Sequence, residues 1–398
     1  MIVEIIIAVL VGIIGGVFSG LTPGIHTNLL VTLLFSASPF LLTFTTPLVI
    51  STLIVSMAIT HTFLNVLPAV YLGAPDSEGK ILSVLPGHRM LLQGKGYEAV
   101  TLTVLGSFLA IIIGILLTPL LLKFLPGLYS SIKNYIGYLL VIISIYMVLR
   151  ERKKFWAFFI FILAGIFGLG VLNLNIKEPL FPLLSSLFGV AGLLISLKDN
   201  VKIPKQIIEK ITIPKKEVAK AMSSAGIVGT FVSLMPGLGP AQAAIIGSQL
   251  IKLTDKGFLI LVGSLETLGM ITSFIAIFSI QKARNGAVVV ISRLMETITQ
   301  KDLILFLIVA FIAGLIAVFL SLSFAKIFSS LITKVNYQKL CIAIIILIVG
   351  MALWLSSYLG LFVLIIGSFI GMLPSLVGIG KNHLMGCLLL PIILFFLL

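Results

Sequence analysis

Charge is the scarcest property of this chain. Charged residues make up 10% of its 398 amino acids and hydrophobic residues 59%, whereas soluble proteins carry about 25% charged residues. The mean hydropathy is +1.25. Apolar runs of the roughly 17–25 residues that cross a bilayer recur along the sequence. The composition therefore excludes an ordinary soluble protein and predicts an all-α polytopic membrane protein.

Groups suited to catalysis or metal binding are also scarce. The chain has two cysteines, Cys341 and Cys387, and four histidines, with no Cys/His spacing suited to zinc. It contains no His-Glu-x-x-His motif, no nucleotide-binding glycine–lysine loop and no nucleophile elbow. We therefore expect no catalytic residue, no metal and no cofactor. An intramembrane enzyme stays open as a further alternative.

The positive charges are concentrated in short connections between apolar runs. The net charge is +14, with clusters at residues 150–154 and 198–220. No basic stripe is interleaved with aromatic residues, so nucleic acid is not an expected partner. Cytoplasmic loops of membrane proteins are enriched in lysine and arginine. We predict a cytoplasmic linker at 198–220, between an N-terminal transmembrane repeat at 1–197 and a C-terminal one at 221–398, in the cell membrane.

A Pro-Gly pair occurs at corresponding places in the two halves. Aligning Pro23-Gly24 with Pro236-Gly237 also superposes Gly16 on Gly229. Proline removes a backbone donor and glycine loosens the chain, so a helix ends there. In lipid, freed backbone groups persist only where they are buried in protein or line a wet cavity. Paired broken helices are therefore the best sequence indication of a transport site.

Four apolar spans follow the broken region in each half. The predicted spans cover residues 98–121, 134–149, 155–172 and 180–197, then 302–324, 340–356, 360–379 and 384–398. Counting them against the basic clusters places 150–154 and Lys381 inside, the turns 173–178 and 356–359 outside, and both termini outside. The two halves then have opposite orientations. The expected fold is two inverted-topology repeats with broken helices and re-entrant helical hairpins.

Each half also contains a polar interruption that predicts the tip of a re-entrant hairpin. The first carries Asp76, Ser77 and Glu78, and the second carries Lys282, Arg284 and Asn285. Charges at membrane depth should face protein or water. Either the opposite charges pair across the symmetry axis, or the cations neutralise an anionic substrate, for which guanidinium is well suited. Both interpretations hold if the substrate replaces an ion pair.

The two breaks predict an anion site, with a simple packing kink as the alternative. A helix that begins after a break offers unpaired N–H groups and the positive end of its dipole. The predicted substrate-binding residues are Thr22, Pro23, Gly24, His26, Thr27 and Asn28 at the first break, Pro236, Gly237, Gly239, Pro240 and Gln242 at the second, and Asp76, Ser77, Lys282, Arg284 and Asn285 at the tips.

Two ionisable residues lie within long apolar segments at corresponding places. His61 and Glu266 are each predicted to carry the coupling ion, because intramembrane ionisable residues are functional by default. The alternative for His61 is a hydrogen bond to a neighbouring helix.

Several motifs occur together in one order. They are Gly20-Leu-Thr-Pro-Gly24, the loop Gly73–Asp76, the segment Pro86–Ala99 and Pro236-Gly-Leu-Gly239. In this order the chain resembles the large membrane subunit of tripartite tricarboxylate transporters, the TctA family. Glu266 corresponds to the acid of that family's Pro-Glu-Ala segment. The two hairpin loops depart from the family pattern, which puts tricarboxylate specificity in question.

The resemblance implies a secondary transporter that works with a small membrane subunit and an extracellular binding protein. The leading hypothesis is alternating-access transport of a di- or tricarboxylate-like organic anion, coupled to Na⁺ or H⁺. The alternative is a polyprenyl-phosphate (lipid-phosphate) translocase. Membrane lipids are expected partners, and a homodimer is an open possibility.

Overall fold

The computed structural model describes residues 2–22, 27–72, 86–198, 203–209, 211–232, 239–283 and 285–398. Over these residues the regular structure is helical, with no strand. Eight of the described helices are long and apolar enough to cross a membrane. The predicted all-α polytopic membrane protein is therefore confirmed.

The first half begins with two helices on either side of the first Pro-Gly pair. Its helices are α1 (Ile2–Leu21), α2 (Thr27–Leu41), α3 (Pro47–Leu64, followed by a π segment at Pro68–Leu72), α4 (86–92), α5 (Gly96–Ile132), α6 (Ile136–Arg150), α7 (Lys154–Asn173), α8 (Leu180–Leu184, then a π segment at Ser185–Val190) and α9 (Ala191–Lys198). The predicted span 98–121 is too short, because α5 continues past Pro119 and Pro126 to Ile132.

The second half opens with the same order of elements. Its helices are α10 (Lys215–Ser224, then a π segment at Ala225–Gly229), α11 (Thr230–Val232), α12 (Pro240–Leu250), α13 (Asp255–Ile280), α14 (Gly286–Leu294), α15 (Gln300–Leu331), α16 (Tyr337–Val377) and α17 (Gly386–Leu397). In each half a helix ends before the Pro-Gly pair, and a short helix, a long buried helix, another short helix and another long helix follow. The opposite orientation of the halves stays a prediction.

The second break separates helices that form a hairpin. Helix α12 has 11 residues, or roughly 17 Å, against about 30 Å of hydrocarbon. Glu217, in the first turn of α10, accepts hydrogen bonds from the amide (3.3 Å) and hydroxyl (2.9 Å) of Thr254, just before α13. After the break the chain therefore returns to the end of the bundle where α10 begins, as a re-entrant element would.

Helix α16 contains a reversal of the chain. Ser357 is not helical, with φ 58° and ψ −163°. A Cβ on Gly360 would lie 3.1 Å from the carbonyl oxygen of Ala352. In a continuous helix these positions would be separated by about 12 Å along the axis. Two antiparallel spans therefore meet at the predicted turn 356–359.

Contacts between connections agree with the predicted grouping of loops. Glu151 accepts hydrogen bonds from the Gly380 amide (3.2 Å) and pairs with His383 Nε2 (3.2 Å), which joins two connections predicted to be cytoplasmic. The Ser356 hydroxyl donates to the carbonyl of Glu178 (3.0 Å), which joins two turns predicted to be external. Which side faces the cytoplasm stays a prediction.

The core is formed by long helices of one half that pack against long helices of the other. Helix α5 packs against α13, and α15 packs against α3. The α5–α13 contact depends on missing side chains, because a Cβ on Gly263 would overlap the carbonyl oxygen of Thr103. Ser107 then donates a hydrogen bond to the Gly263 carbonyl (3.0 Å). In membranes such close approach of small residues drives helix association, so this contact holds the two halves together.

Substituting Gly263 by alanine should separate α5 from α13. We expect a lower melting temperature for the purified protein in detergent, since overpacking costs about 1–3 kcal/mol. The matched control is Gly170→Ala in α7, where no described atom lies within 4 Å of the new Cβ. Equal melting temperatures for the two variants would contradict this account of the core.

Candidate functional site

The N-termini of α2 and α14 lie side by side, although these helices belong to different halves. A Cβ on Gly286 would overlap the amide oxygen of Asn28. Farther along, the guanidinium of Arg293 lies 5.8 Å from the ring centroid of Phe35. Each helix advances seven residues between these contacts, so the two helices run parallel. The positive ends of two helix dipoles therefore meet at one place.

Polar side chains of both halves surround these helix ends. Thr27 is the buried first residue of α2. Asn285 caps α14, where its Oδ1 accepts a hydrogen bond from the Val288 amide (2.9 Å). The first turn of any α-helix contains N–H groups without an intrahelical acceptor. The structure therefore brings together three of the predicted substrate-binding residues, Thr27, Asn28 and Asn285.

A second polar layer lies where α3 crosses α13. The hydroxyl oxygens of Thr62 and Thr267 are 3.3 Å apart. Asn65 Nδ2 donates a hydrogen bond to Glu266 Oε1 (3.0 Å). Thr62, Asn65 and Thr267 are almost completely buried, at 1%, 0% and 0% exposure. The two halves are thus joined by polar contacts inside the bundle, and one of them involves the acid predicted to couple an ion.

His61 contacts the first helix. Its Nδ1 lies 2.9 Å from the hydroxyl oxygen of Ser19 on α1. At the next residue of α1, a Cβ on Gly20 would lie 3.2 Å from the amide nitrogen of Asn65. The end of α1 therefore lies beside the second polar layer. The hydrogen bond to a neighbouring helix that the sequence allowed for His61 is present, and its coupling role stays a prediction.

The two polar layers are one helical turn apart on α13. Met270 follows Glu266 by four residues, which places both on one face of the helix. Asn285 Nδ2 donates a hydrogen bond to Met270 Sδ (3.3 Å). The start of α14 is therefore linked to the same face of α13 that carries Glu266.

The remaining predicted residues are spread more widely. Thr22 directly follows α1, and its hydroxyl donates to the carbonyl of Phe18 (2.7 Å). Lys282 is exposed in the connection between α13 and α14. Gly239 and Pro240 stand at the start of α12, which packs against α13, and Gln242 lies within that helix. These residues stay candidates.

Some predictions fall on residues that the structure does not describe. They are Pro23, Gly24, His26, Asp76, Ser77, Pro236, Gly237 and Arg284. The proposed pairing of charges between the hairpin tips therefore stays a prediction.

Sequence reasoning missed four members of the site. Thr62, Asn65, Thr267 and Met270 were not predicted. Asn65 has a sequence signal, because it is an intramembrane amide one turn after His61 and three residues before Pro68. The two threonines and the methionine resemble many other residues in apolar helices and give no such signal.

The chain matches the model of the tripartite tricarboxylate transporter TctA family over residues 6–386. It belongs to this family. The match confirms the resemblance over nearly the whole chain and identifies the protein as a membrane transporter component. The family is one of transporters, and its members are the large subunit of a tripartite system.

An uncharacterized protein of Methanocaldococcus jannaschii is 30% identical over 358 residues, which cover 86% of this chain and 88% of that protein. No solved structure matches.

The contact between Thr62 and Thr267 should couple the stabilities of the two halves. We expect Thr62→Val and Thr267→Val each to lower the melting temperature and to be non-additive when combined, as is typical of residues in contact. Thr272 provides the matched control, because its buried hydroxyl donates only within α13, to Leu268 (2.8 Å). Thr62→Val and Thr272→Val should be additive. Additivity in both pairs would show that the threonine contact does not join the halves.

Proposed function

We propose that this TctA-family protein is an ion-coupled secondary transporter of a small organic anion of the di- or tricarboxylate type. The observation that carries the proposal is the parallel pair of helix N-termini that meets at Asn28 and Gly286. Helix N-termini are ready-made anion sites, because their free N–H groups and dipoles favour negative charge. Two together suit a ligand with more than one carboxylate.

The side chains around these helix ends have the appropriate chemistry. The amides of Asn28 and Asn285 and the hydroxyl of Thr27 can donate hydrogen bonds to carboxylate oxygens. Arg284 precedes Asn285 in the sequence, and a guanidinium there would pair with a carboxylate in a bidentate manner. The site would then combine helix dipoles, neutral donors and a cation.

The location of these groups supports alternating access. Helix α2 belongs to the first half and α14 to the second, so a ligand between them contacts both halves. A movement of one half against the other would open and close such a site, as in transporters built from repeats. We expect the small membrane subunit and the extracellular binding protein of the tripartite system as partners.

Citrate or a dicarboxylate should raise the melting temperature of the purified protein. Ligand binding to the native state at 100 times the dissociation constant stabilises it by about 2.7 kcal/mol. Acetate at equal ionic strength provides the control for a general salt effect. If a polyprenyl phosphate raises the melting temperature and carboxylates do not, the substrate is a lipid phosphate and the carboxylate proposal is wrong.

Asn285→Asp should abolish this carboxylate-dependent shift. Aspartate caps a helix as well as asparagine does, so stability without ligand should be retained, while the added negative charge repels the anion. Asn336→Asp is the matched control, because Asn336 caps α16 by accepting from Gln338 and Lys339. Arg284→Ala should also abolish the shift. Retention of the full shift in Asn285→Asp would place the anion elsewhere.

A further inference from the structure

We propose that a sodium ion binds where α3 crosses α13, between Asn65 Oδ1, the Glu266 carboxylate and the hydroxyl oxygens of Thr62 and Thr267. This ion would be the one that drives anion transport, so its physiological role rests on the proposed function. The evidence for the site itself comes from the described residues.

The amide oxygen of Asn65 is the first observation. Asn65 is completely buried, and its Nδ2 donates to Glu266 (3.0 Å). Its Oδ1 is also buried and has no hydrogen-bond partner among the residues that the structure describes. Buried acceptors in native proteins are almost always satisfied, so this oxygen requires a partner beyond the protein atoms, such as a water or an ion.

Thr62 lies three residues before Asn65 on α3, and Thr267 directly follows Glu266 on α13, so both add hydroxyl oxygens to this crossing. The Thr62 hydroxyl donates to the carbonyl of Ile59 (2.8 Å), and the Thr267 hydroxyl can donate to Thr62 (3.3 Å) or to the carbonyl of Gly263 (3.4 Å). Their oxygens keep lone pairs for a further partner. The layer thus offers an amide oxygen, two hydroxyl oxygens and one carboxylate. Hard cations prefer oxygen ligands, and a single carboxylate suits a monovalent ion.

The backbone hydrogen bonding changes next to Asn65, where α3 passes into a π segment. Pro68 has no N–H, so it cannot donate to the Leu64 carbonyl as an α-helix requires. The Ala69 amide reaches the Asn65 carbonyl only at 3.4 Å, and a π segment follows at Pro68–Leu72. Helix α1 ends beside Asn65 as well. Unwound carbonyls and negative helix C-termini coordinate Na⁺ in other transporter folds.

A proton on Glu266 is the alternative to a sodium ion. A protonated carboxyl could donate from Oε2 to Asn65 Oδ1 while Asn65 Nδ2 continues to donate to Oε1. Such a pair would satisfy the amide oxygen without using the hydroxyl oxygens of Thr62 and Thr267. A sodium ion would use these oxygens as well, so dependence of the effect on Thr267 distinguishes it from a proton.

The position of the cation explains how it would be coupled to the anion. Glu266 is one turn of α13 from Met270, which accepts the hydrogen bond from Asn285. A sodium ion bound there would place a positive charge about one helical turn from the anion site, so each ligand would favour binding of the other. Such coupling between sites is reciprocal.

The experiment measures the melting temperature of the purified full-length protein in choline buffer, after addition of NaCl, KCl or choline chloride at equal ionic strength. We expect the melting temperature to rise to a plateau with increasing NaCl and to stay unchanged with KCl or choline chloride. Thr267→Val and Asn65→Leu should abolish it, whereas Thr272→Val on the same helix should retain it. Three outcomes would overturn the assignment. They are an equal rise in melting temperature with KCl, a melting temperature that depends on pH and not on Na⁺, and a full sodium-dependent rise in Thr267→Val. Thr267→Val decides the question if Asn65→Leu does not fold.

Citrate titrations in sodium and in choline separate this inference from the proposed function. We expect sodium to increase citrate affinity about fivefold or more, a typical strength for coupled sites. Equal citrate affinity in both buffers, without a sodium shift, would refute the cation site and leave the anion site standing. A sodium shift that Thr267→Val removes, without any anion response, would support the cation site and refute the proposed transport of carboxylates.

Discussion

The crossing of α3 and α13 determines how the two halves fit together. Its central contacts are Thr62 with Thr267 and Asn65 with Glu266. Lipid provides no hydrophobic force between apolar helices, so close packing and hydrogen bonds must supply the association. Around this pair, α5 packs on α13 and α15 packs on α3. Each long helix is therefore fixed to the opposite half, and the polar layer is enclosed by protein.

The broken helices then account for the electrostatics of the interior. A continuous transmembrane helix keeps both ends of its dipole at the membrane surfaces. Here α1 ends beside Asn65, where α3 continues into a π segment, while α2 and α14 begin beside Asn28 and Asn285. A negative helix end thus lies at one layer and two positive helix ends lie at the next. This arrangement favours a cation and an anion about one helical turn apart.

The sequence predicted the features that depend on local chemistry. Proline and glycine located the two helix breaks, and the uncharged turn at 356–359 located the reversal at Ser357. It placed Asn28 and Asn285 in one site because each follows an interruption. It missed the Asn65–Glu266 contact, because the register between distant helices depends on packing across the halves. It also ended the first long span too early, since Pro119 and Pro126 lie within α5 without ending it.

The threonine contact has a consequence for the proposed transport cycle. Thr62 directly follows His61, and Thr267 directly follows Glu266, the residue at the corresponding place in the second half. If a two-fold axis relates the halves, a contact between equivalent residues must lie close to that axis. If each half adopted the conformation of the other during transport, this contact would stay in place. The residues on either side of it would then contact different neighbours. The pairs His61/Glu266 and Asn65/Met270 differ chemically, so the exchange would move unlike groups past a fixed centre. A cation on one side of this contact and an anion on the other could then be released together without the halves coming apart.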